Sequence, residues 1–206
     1  MRKIESLTEM SNQQLWALFP IILAPYCPEW PELFRREAAL LKRAVGEQRI
    51  LRISHIGSTA VPGLLAKPAI DILLEISGET TLGEFQMSLE EAGYLFAAQP
   101  GKPAPGMMFL KGDTPEGFAR EVFHVHVRYL GDWDELYFRD YLRQFPRKAA
   151  EYEALKRRLQ VKYTHDRDAY TKAKGSFIKS TTALARKHFG AKYKPGAAQG
   201  QATRIE

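Results

Sequence analysis

The sequence contains only one cysteine, Cys27, in 206 residues. A single cysteine excludes an internal disulfide framework and a zinc site held by several cysteines. No apolar run approaches the ~18 residues that a membrane span needs. The N-terminal MRKIESLTEM also lacks the apolar stretch of a signal peptide. These absences predict a soluble, cytoplasmic protein without a membrane partner.

The chain also lacks internal repeats, and it is short for two independent enzymatic domains. We expect one domain over residues 1–190. The last stretch, GAKYKPGAAQGQATRIE, has no apolar periodicity and is rich in Gly, Ala and Gln. It predicts a flexible basic tail over residues 191–206.

Positive charge is concentrated in the C-terminal third, where residues 139–206 hold 17 Lys and Arg against 6 Asp and Glu. Such a block suits a phosphate-bearing partner, and a solvated helical surface explains it equally simply. Nucleic-acid binding is the lower-ranked reading, because no recognition motif accompanies the charge.

Apolar periodicity predicts strands that alternate with helices. A helix over about 31–46 precedes the strand-like RILRISHIG, and PAIDILLEI is a short apolar run typical of a central strand. A helix in TTLGEFQMSLEEAGY and two strands, MMFLKG and EVFHVHVRYL, follow before a helical region from residue 134. The order predicts an α/β protein of the α+β kind, with helices packed on a strand-rich core.

A Gly-Ser-Thr turn, Gly57 to Thr59, leaves the first of these strands. Its backbone N–H groups and hydroxyls can form a concavity for phosphate. Asp71 stands in the middle of the next strand, where a carboxylate is costly unless it is paired or binds a metal. Alternation places Asp71 on the face of Leu73 and Glu75, which we expect to be the less buried one. A structural salt bridge, for instance to Lys67 or Arg128, is the alternative.

Two histidines and an arginine share one face of the strand EVFHVHVR, namely His124, His126 and Arg128. With Asp71, the histidines would form a two-His, one-carboxylate set that prefers Mn, Fe or Zn. One histidine could instead serve as a general base, and a hydrogen-bonded structural role is equally compatible with the pattern.

Other basic residues could neutralise phosphates, although each also fits an ordinary surface position. These candidates are Lys67, Arg128, Arg139 and Lys174.

The stretch HIGSTAVPGLLAKPAIDI resembles the signature of the GrpB family, of the nucleotidyltransferase superfamily. PYCPEWPELF, FHVHVR, LYFRDYLRQFP, EYEALKRRL and AYTKAKGSFI resemble further family motifs in the same order, over about residues 21–180. The resemblance implies a mixed sheet flanked by helices, in which the Gly-Ser turn holds nucleotide phosphates and carboxylates hold Mg²⁺ or Mn²⁺. The superfamily's second carboxylate should stand two residues after Asp71, where this chain has Leu73. Glu75 lies about 13 Å from Asp71 along the strand, too far to replace it.

These features predict a nucleotide- or phosphate-binding protein with a divalent metal at Asp71. Whether it also transfers a nucleotidyl group, to an acceptor that the sequence does not identify, is left open by Leu73 at the position of the second acid. Two alternatives stay open. One is a non-catalytic module that kept the phosphate cradle without the second acid. The other is a metal-dependent phosphohydrolase that uses Asp71, His124 and His126.

Overall fold

The computed structural model describes residue 7 and residues 9–196, and it contains six α-helices and five β-strands in that part of the chain. In chain order they are α1 (Asn12–Leu18), α2 (Trp30–Val45), β1 (Ile50–Ile56), β2 (Ile70–Ile76), α3 (Leu82–Glu91), β3 (Leu95–Ala98), β4 (Met107–Thr114), β5 (Gly117–Tyr129), α4 (Asp134–Gln144), α5 (Pro146–Lys162) and α6 (Arg167–Phe189).

The strands form one mixed sheet in the order β1, β2, β5, β4, β3. Only β2 and β5 pair in parallel, and the other three neighbours pair antiparallel. This arrangement confirms the predicted mixed sheet flanked by helices, with a helical C-terminal part. The short edge strand β3 was not predicted, because four residues give too little periodicity beside a Pro- and Gly-rich loop.

One face of the sheet carries the main core, to which α2 and α3 contribute Phe34, Leu41 and Phe85. Pro31 occupies the first turn of α2, where its missing N–H breaks no helical hydrogen bond. The helix ends at Gly46, whose φ of 86° suits glycine. The predicted helix over 31–46 is therefore confirmed to within a residue at each end.

The other face of β1 and β2 is covered by the C-terminal helices. Leu73 is fully buried in a cluster with Ile56 and with Leu136 and Tyr137 of α4. Glu75 is also fully buried and pairs with Arg52. The prediction that this face of β2 is the less buried one is therefore wrong, because α4 and α6 cover it except around Asp71.

The start of the segment predicted as a flexible tail packs against α4. Tyr193 is only 5% exposed, and its backbone N–H donates to the hydroxyl of Tyr137 at 3.2 Å. Residues 197–206 lie outside the described residues. Among the helices described, none is long and apolar enough to cross a membrane.

Candidate functional site

Gly57 brings the turn after β1 into contact with the aspartate of β2. The antiparallel register places Ile56 opposite Asp71, so the chain turns directly beside the carboxylate. Gly57 has φ 73° and ψ −170°, a conformation that is essentially confined to glycine. A Cβ added at Gly57 would collide with Oδ2 of Asp71. The glycine therefore allows the carboxylate to lie against the turn.

Parallel pairing of β2 with β5 brings both histidines to Asp71. Asp71 pairs with His124 and Leu73 with His126. Oδ1 of Asp71 lies 3.5 Å from Nδ1 of His124 and 3.5 Å from Nε2 of His126. The side chain of Asp71 is 32% exposed and that of His126 is 27% exposed, whereas His124 is buried. The structure thus brings together the three residues proposed as catalytic and metal-binding.

A second carboxylate reaches this cluster from β4. Oδ2 of Asp113, whose side chain is buried, lies 3.1 Å from Nε2 of His124. His124 therefore has a carboxylate at each ring nitrogen. Burial lowers the pKa of His124, but the hydrogen bonds to Asp113 and Asp71 outweigh it, so the pKa is raised. Burial alone would raise the pKa of Asp71, yet the hydrogen bonds from His124 and His126 lower it overall.

Sequence reasoning missed Asp113. It lies in β4, outside the strand position at which the second acid was expected. The register of β4 shifts between Lys111 and Asp113, so simple alternation from MMFLKG does not place this side chain. Only the pairing of β4 with β5 reveals its contact with His124.

A cavity of about 180 Å³ opens in front of Asp71, between the turn, β2, β5 and the C-terminal helices. Four cationic side chains line it, together with Ser58, Asp71 and His124; they are Lys67, Lys156, Arg167 and Lys174. Ser58 lies in the short 3₁₀ turn Ser58–Ala60 that follows Gly57. The predicted turn, aspartate and two of the predicted lysines thus face the same cavity.

All three lysines of the cavity have lowered pKa values. Burial lowers the pKa of Lys156 to about 7, and repulsion from Lys174 contributes. Burial, with repulsion from Arg167, lowers the pKa of Lys67 to about 8. Burial also lowers the pKa of Lys174 to about 8, against the attraction of Asp71. The cavity is therefore lined by four basic side chains and one partly exposed carboxylate, and burial without an anionic partner disfavours the charged form of the lysines.

Lys156 is the most buried of these lysines, at 2% exposure, and sequence reasoning missed it. Its Nζ donates to Ser58 Oγ at 3.1 Å and to the carbonyl oxygen of Leu65. It lies within EYEALKRRL, a stretch quoted above for its family resemblance. That resemblance was the one available signal, because the basic residues around Lys156 look alike in the sequence. Arg167 was missed for the same reason.

Three residues predicted to contact phosphate have other partners. Thr59 is buried, and its hydroxyl donates to the carbonyl oxygen of Ala69 at 3.1 Å and lies 3.0 Å from Nε2 of His55. Arg139 is buried and donates to Asp140 and to the carbonyl oxygen of His55.

Arg128 shares the face of His126 but lies two residues further along β5. It is 3% exposed and donates to the carbonyl oxygen of Val127 at 2.8 Å. Thr59, Arg139 and Arg128 do not line this cavity, so their predicted contact with a ligand stays a prediction.

The predicted two-His, one-carboxylate metal set stays a prediction. Nε2 of His124 contacts Asp113 at 3.1 Å, an arrangement that metal-bound histidines also have, while Nδ1 of His124 and Nε2 of His126 each lie 3.5 Å from Oδ1 of Asp71. Within residues 7 and 9–196, no three His, Cys, Asp or Glu side chains are grouped as metal ligands. A magnesium ion that is carried by a ligand's phosphates is a different case, since it needs only one or two protein carboxylates. Asp71 is partly exposed to the cavity and meets that requirement.

The family model described as GrpB protein matches residues 20–184, a span that includes the turn, both strands of the cluster and the cationic cavity. The chain belongs to the GrpB family. Its sheet and helices are of the nucleotidyltransferase-like type found in that family.

Relatives and a solved structure agree with this assignment. The chain is 37% identical to the glutamate-rich protein GrpB of Alkalihalophilus pseudofirmus over 165 residues, which cover 77% of this chain and 91% of that protein. It is 40% identical to a UPF0157 protein of Pseudomonas aeruginosa, over 77% of this chain and 64% of the relative. The crystal structure of conserved protein GrpB from Enterococcus faecalis is similar with a TM-score of 0.71 at 33% identity, and the match covers 82% of this chain and 99% of that one.

Two of the relatives have a name that states an activity. A dephospho-CoA kinase of Mycolicibacterium paratuberculosis is 32% identical over 187 residues, which cover 80% of this chain. The match spans 46% of that protein, so the GrpB-like part accounts for about half of it.

Proposed function

We propose that the cavity beside Asp71 binds a nucleotide or another phosphorylated small molecule. The observation that supports this most strongly is the surplus of positive charge: Lys67, Lys156, Arg167 and Lys174 share one partly exposed carboxylate. Buried cations are costly without an anionic partner, and phosphate oxygens are such partners. The phosphate groups of the ligand would therefore neutralise the basic side chains that Asp71 alone does not.

The turn contributes hydrogen-bonding groups to the same ligand. Ser58 begins the 3₁₀ turn after Gly57 and faces the cavity. Its hydroxyl accepts from Lys156 and keeps a proton to donate. This combination of a hydroxyl with several cations is suited to phosphate oxygens, which are acceptors only.

We further propose that a divalent ion, Mg²⁺ or Mn²⁺, accompanies the ligand and that Asp71 holds it. Its hydrogen bonds to His124 and His126 keep the carboxylate ionised. When bound, the ion would neutralise charge on the phosphates. The phosphohydrolase with a Zn or Fe site stays an alternative, for which Asp71, His124 and His126 would supply the ligands.

Transfer of a nucleotidyl group to an acceptor is the second function that we propose. The observation that favours it is Asp113, which returns a second carboxylate to the neighbourhood of Asp71 through His124. His126 is the cluster's partly exposed histidine and lies 3.5 Å from Asp71, where it can orient an acceptor. The name of the mycobacterial relative, dephospho-CoA kinase, belongs to an enzyme that acts on phosphorylated compounds, and this supports a ligand of that class.

Calorimetric titration of ATP into wild type and Asp71→Asn tests the binding function and the metal together. With Mg²⁺, the variant should bind about tenfold more weakly, since the ion loses its protein ligand. With chelator, the variant should bind at least as tightly as wild type, because a like charge has been removed from the anion site. Glu79→Gln, an exposed carboxylate beyond the end of β2, is the matched control.

The titrations with Mg²⁺ and with chelator test the divalent ion and the anion site separately. Tighter binding by Asp71→Asn under both conditions would remove the ion from the proposal and keep the anion site. Folded wild type that binds no phosphorylated compound would overturn the binding function itself.

Transfer is tested by pyrophosphate release from nucleoside triphosphates that are mixed with a metabolite extract. Asp71→Asn should abolish release while its urea unfolding midpoint matches that of wild type. Undiminished release by Asp71→Asn would contradict nucleotidyl transfer at this site. ATP binding without release in any extract would favour the non-catalytic binding module.

A further inference from the structure

The turn after β1 presents a serine to the cavity. Strand β1 ends at Ile56, and Gly57 turns the chain with φ 73° and ψ −170° immediately before Ser58. A serine on a tight turn at the end of a strand projects its hydroxyl away from the sheet, which is a placement that serine nucleophiles use. Ser58 lines the same cavity as Asp71. Its Oγ is therefore accessible to a ligand that binds there.

Lys156 lies within proton-transfer distance of this hydroxyl. Its Nζ is 3.1 Å from Oγ of Ser58, and the side chain is buried. Burial lowers the pKa of Lys156 to about 7, so the neutral amine is readily available near neutral pH. That amine has a lone pair that can accept the Ser58 proton, and it keeps two N–H groups as donors. A lysine in this state can serve as the general base for a serine.

Hydrogen bonds fix this lysine and the turn relative to each other. Nζ of Lys156 donates to the carbonyl oxygen of Leu65, and Oε2 of Glu153 accepts from the backbone N–H of Leu65 at 3.1 Å. Glu153 and Lys156 are three residues apart on α5 and therefore lie on one face of it. Helix α4 adds a contact, because Nε of Arg143 donates to the carbonyl oxygen of Ala60 at 2.8 Å. The lysine is thus oriented by a third group, as the base of a serine nucleophile requires.

We infer that Ser58 is a nucleophile and that Lys156 is its general base, so that a nucleotidyl group passes from a nucleoside triphosphate to Oγ of Ser58 before it reaches an acceptor. This inference rests on the proposed function and adds a covalent intermediate to the proposed transfer. Lys67, Arg167 and Lys174 line the same cavity and would neutralise the phosphate oxygens during the attack.

The covalent step needs only the triphosphate, the acceptor hydroxyl and these two side chains. Nζ of Lys156 takes the proton of Ser58 Oγ as that oxygen forms a bond to the α-phosphorus. The bond from this phosphorus to the bridging oxygen breaks, and pyrophosphate leaves with the electron pair and takes the proton from Lys156. The acceptor hydroxyl then gives its proton to Lys156 and attacks the same phosphorus. The Ser58 oxygen leaves with the bonding pair and regains a proton from Lys156, which restores the site.

Covalent labelling of the full chain tests the serine and its base. Diisopropyl fluorophosphate is the probe, because an activated serine displaces its fluoride and keeps the phosphoryl group. Mass spectrometry should find an adduct on Ser58 in the wild type and none at this position in Ser58→Ala. Lys156→Arg keeps a cationic donor that cannot act as a base, so labelling should slow by at least about a hundredfold. Ser180→Ala, at an exposed serine of α6, should be labelled like wild type.

Rescue by an added amine distinguishes a base from a lysine that only supports the turn. Lys156→Ala removes the amine and leaves space for a small one, so propylamine should restore labelling by at least about tenfold. A supporting role would give no rescue. If one of the two Lys156 variants does not fold, the other decides. Wild type incubated with ATP and Mg²⁺ without an acceptor should also carry an adenylyl group on Ser58.

The outcomes separate this inference from the proposed function when ATP binding is measured by calorimetry on the same samples. Wild type that binds ATP but is not labelled at Ser58 by the fluorophosphate, or gains no adenylyl group, would overturn the inference and leave the binding function standing. Labelling of Lys156→Arg at the wild-type rate would also overturn it. Folded wild type that binds no phosphorylated compound would overturn the proposed function, and the nucleotidyl substrate with it.

Discussion

Two groups of buried positive charge contact the segment from His55 to Ala60, and they differ in what neutralises them. In the Arg139 network, Arg139 donates to Asp140 at 2.8 Å and to the hydroxyl of Tyr193 at 3.0 Å. Lys192 donates to the other oxygen of Asp140 at 2.6 Å. In the cavity, by contrast, three lysines and Arg167 share Asp71, which is itself engaged by two histidines.

The difference separates charge that is neutralised within the fold from charge that, under the proposed function, a ligand would neutralise. A buried cation that is hydrogen-bonded to a carboxylate is neutralised inside the protein. Removing either partner leaves the other as an unpaired buried charge, which destabilises the fold. A buried lysine without such a partner has a lowered pKa, as Lys156, Lys67 and Lys174 do. Positive charge that is kept near the surface at this cost indicates an external anion.

The largest expected effect is the loss of stability in Arg139→Met. The substitution removes hydrogen bonds to Asp140, Tyr193 and the carbonyl oxygen of His55, each worth about 1.5–3 kcal/mol when a charged group takes part. Lys192 still pairs with Asp140, so the expected loss is about 3–5 kcal/mol and not the full sum of these bonds. Urea unfolding should show this loss of free energy. Arg147→Met, at an exposed arginine of the neighbouring helix, should change stability by less than about 0.5 kcal/mol. A loss as small for Arg139→Met would show that its network does not stabilise the fold.

Gly57→Ala should have the next largest effect. The left-handed φ of 73° and the collision with Asp71 predict a loss of about 1–3 kcal/mol and a displaced carboxylate. Gly63→Ala is the matched control, because Gly63 also has a positive φ, 77°, but open space where its Cβ would lie. Unfolding experiments should show the larger loss for Gly57→Ala. Equal losses would mean that the approach of Asp71 to the turn is not constrained by the glycine.

Unlike Arg139→Met, Lys174→Met should weaken ligand binding without a large loss of stability. The aliphatic chain can stay over the ring of Tyr170 while a buried charge is removed, so the free energy of unfolding should stay within about 1 kcal/mol of wild type or rise. Tripolyphosphate binding should weaken by about tenfold. A marked loss of stability with unchanged binding would place Lys174 among the structural cations instead.

The smallest expected effect is a gradual change of stability and of anion affinity with pH. The pKa of Lys156 is lowered to about 7, and those of Lys67 and Lys174 to about 8, from 10.5. Below pH 7 these lysines are charged in both folded and unfolded protein. Above pH 7 these lysines lose protons in the folded protein but keep them in the unfolded chain. Their contribution to the free energy of unfolding of the ligand-free protein therefore increases with pH.

Anion binding should change in the opposite direction, weakening several-fold between pH 6.5 and 8.5, because it favours the charged lysines. Parallel measurement of unfolding and of tripolyphosphate affinity across this range checks both trends, with Lys174→Met showing a shallower binding curve. Affinity that is constant with pH would mean that the lysines do not contact the anion.

Local pattern predicted the core of the site because its geometry follows from strand alternation. Asp71 and the pair His124 and His126 each lie on a definable face of a strand. Once β2 and β5 pair in parallel, the register brings those faces together. The Gly-Ser turn was equally visible, since a glycine before a short turn is a local feature.

The partners of residues that contact distant segments could not be predicted from the sequence. Thr59 and Arg139 have side chains suited to phosphate, yet the carbonyl oxygens of Ala69 and His55 occupy them. Leu73 shows the same limit in another form. It looks like a lost metal ligand in the sequence, but it is a core residue beneath α4, where an aspartate would be an unpaired buried charge.

The mixed sheet with its C-terminal helices, the turn at Gly57 and the polar residues on β2 and β5 could be predicted from the amino-acid pattern alone, because helical and strand periodicities are local properties of the chain. The set of basic residues that line the cavity depends on contacts between distant segments. Helices α5 and α6 return across the end of β2 and place Lys156, Arg167 and Lys174 around Asp71, while α4 places Arg139 against Asp140. The physical reason is that a buried charge is defined by the groups that neutralise it, and these come from segments far apart in the chain.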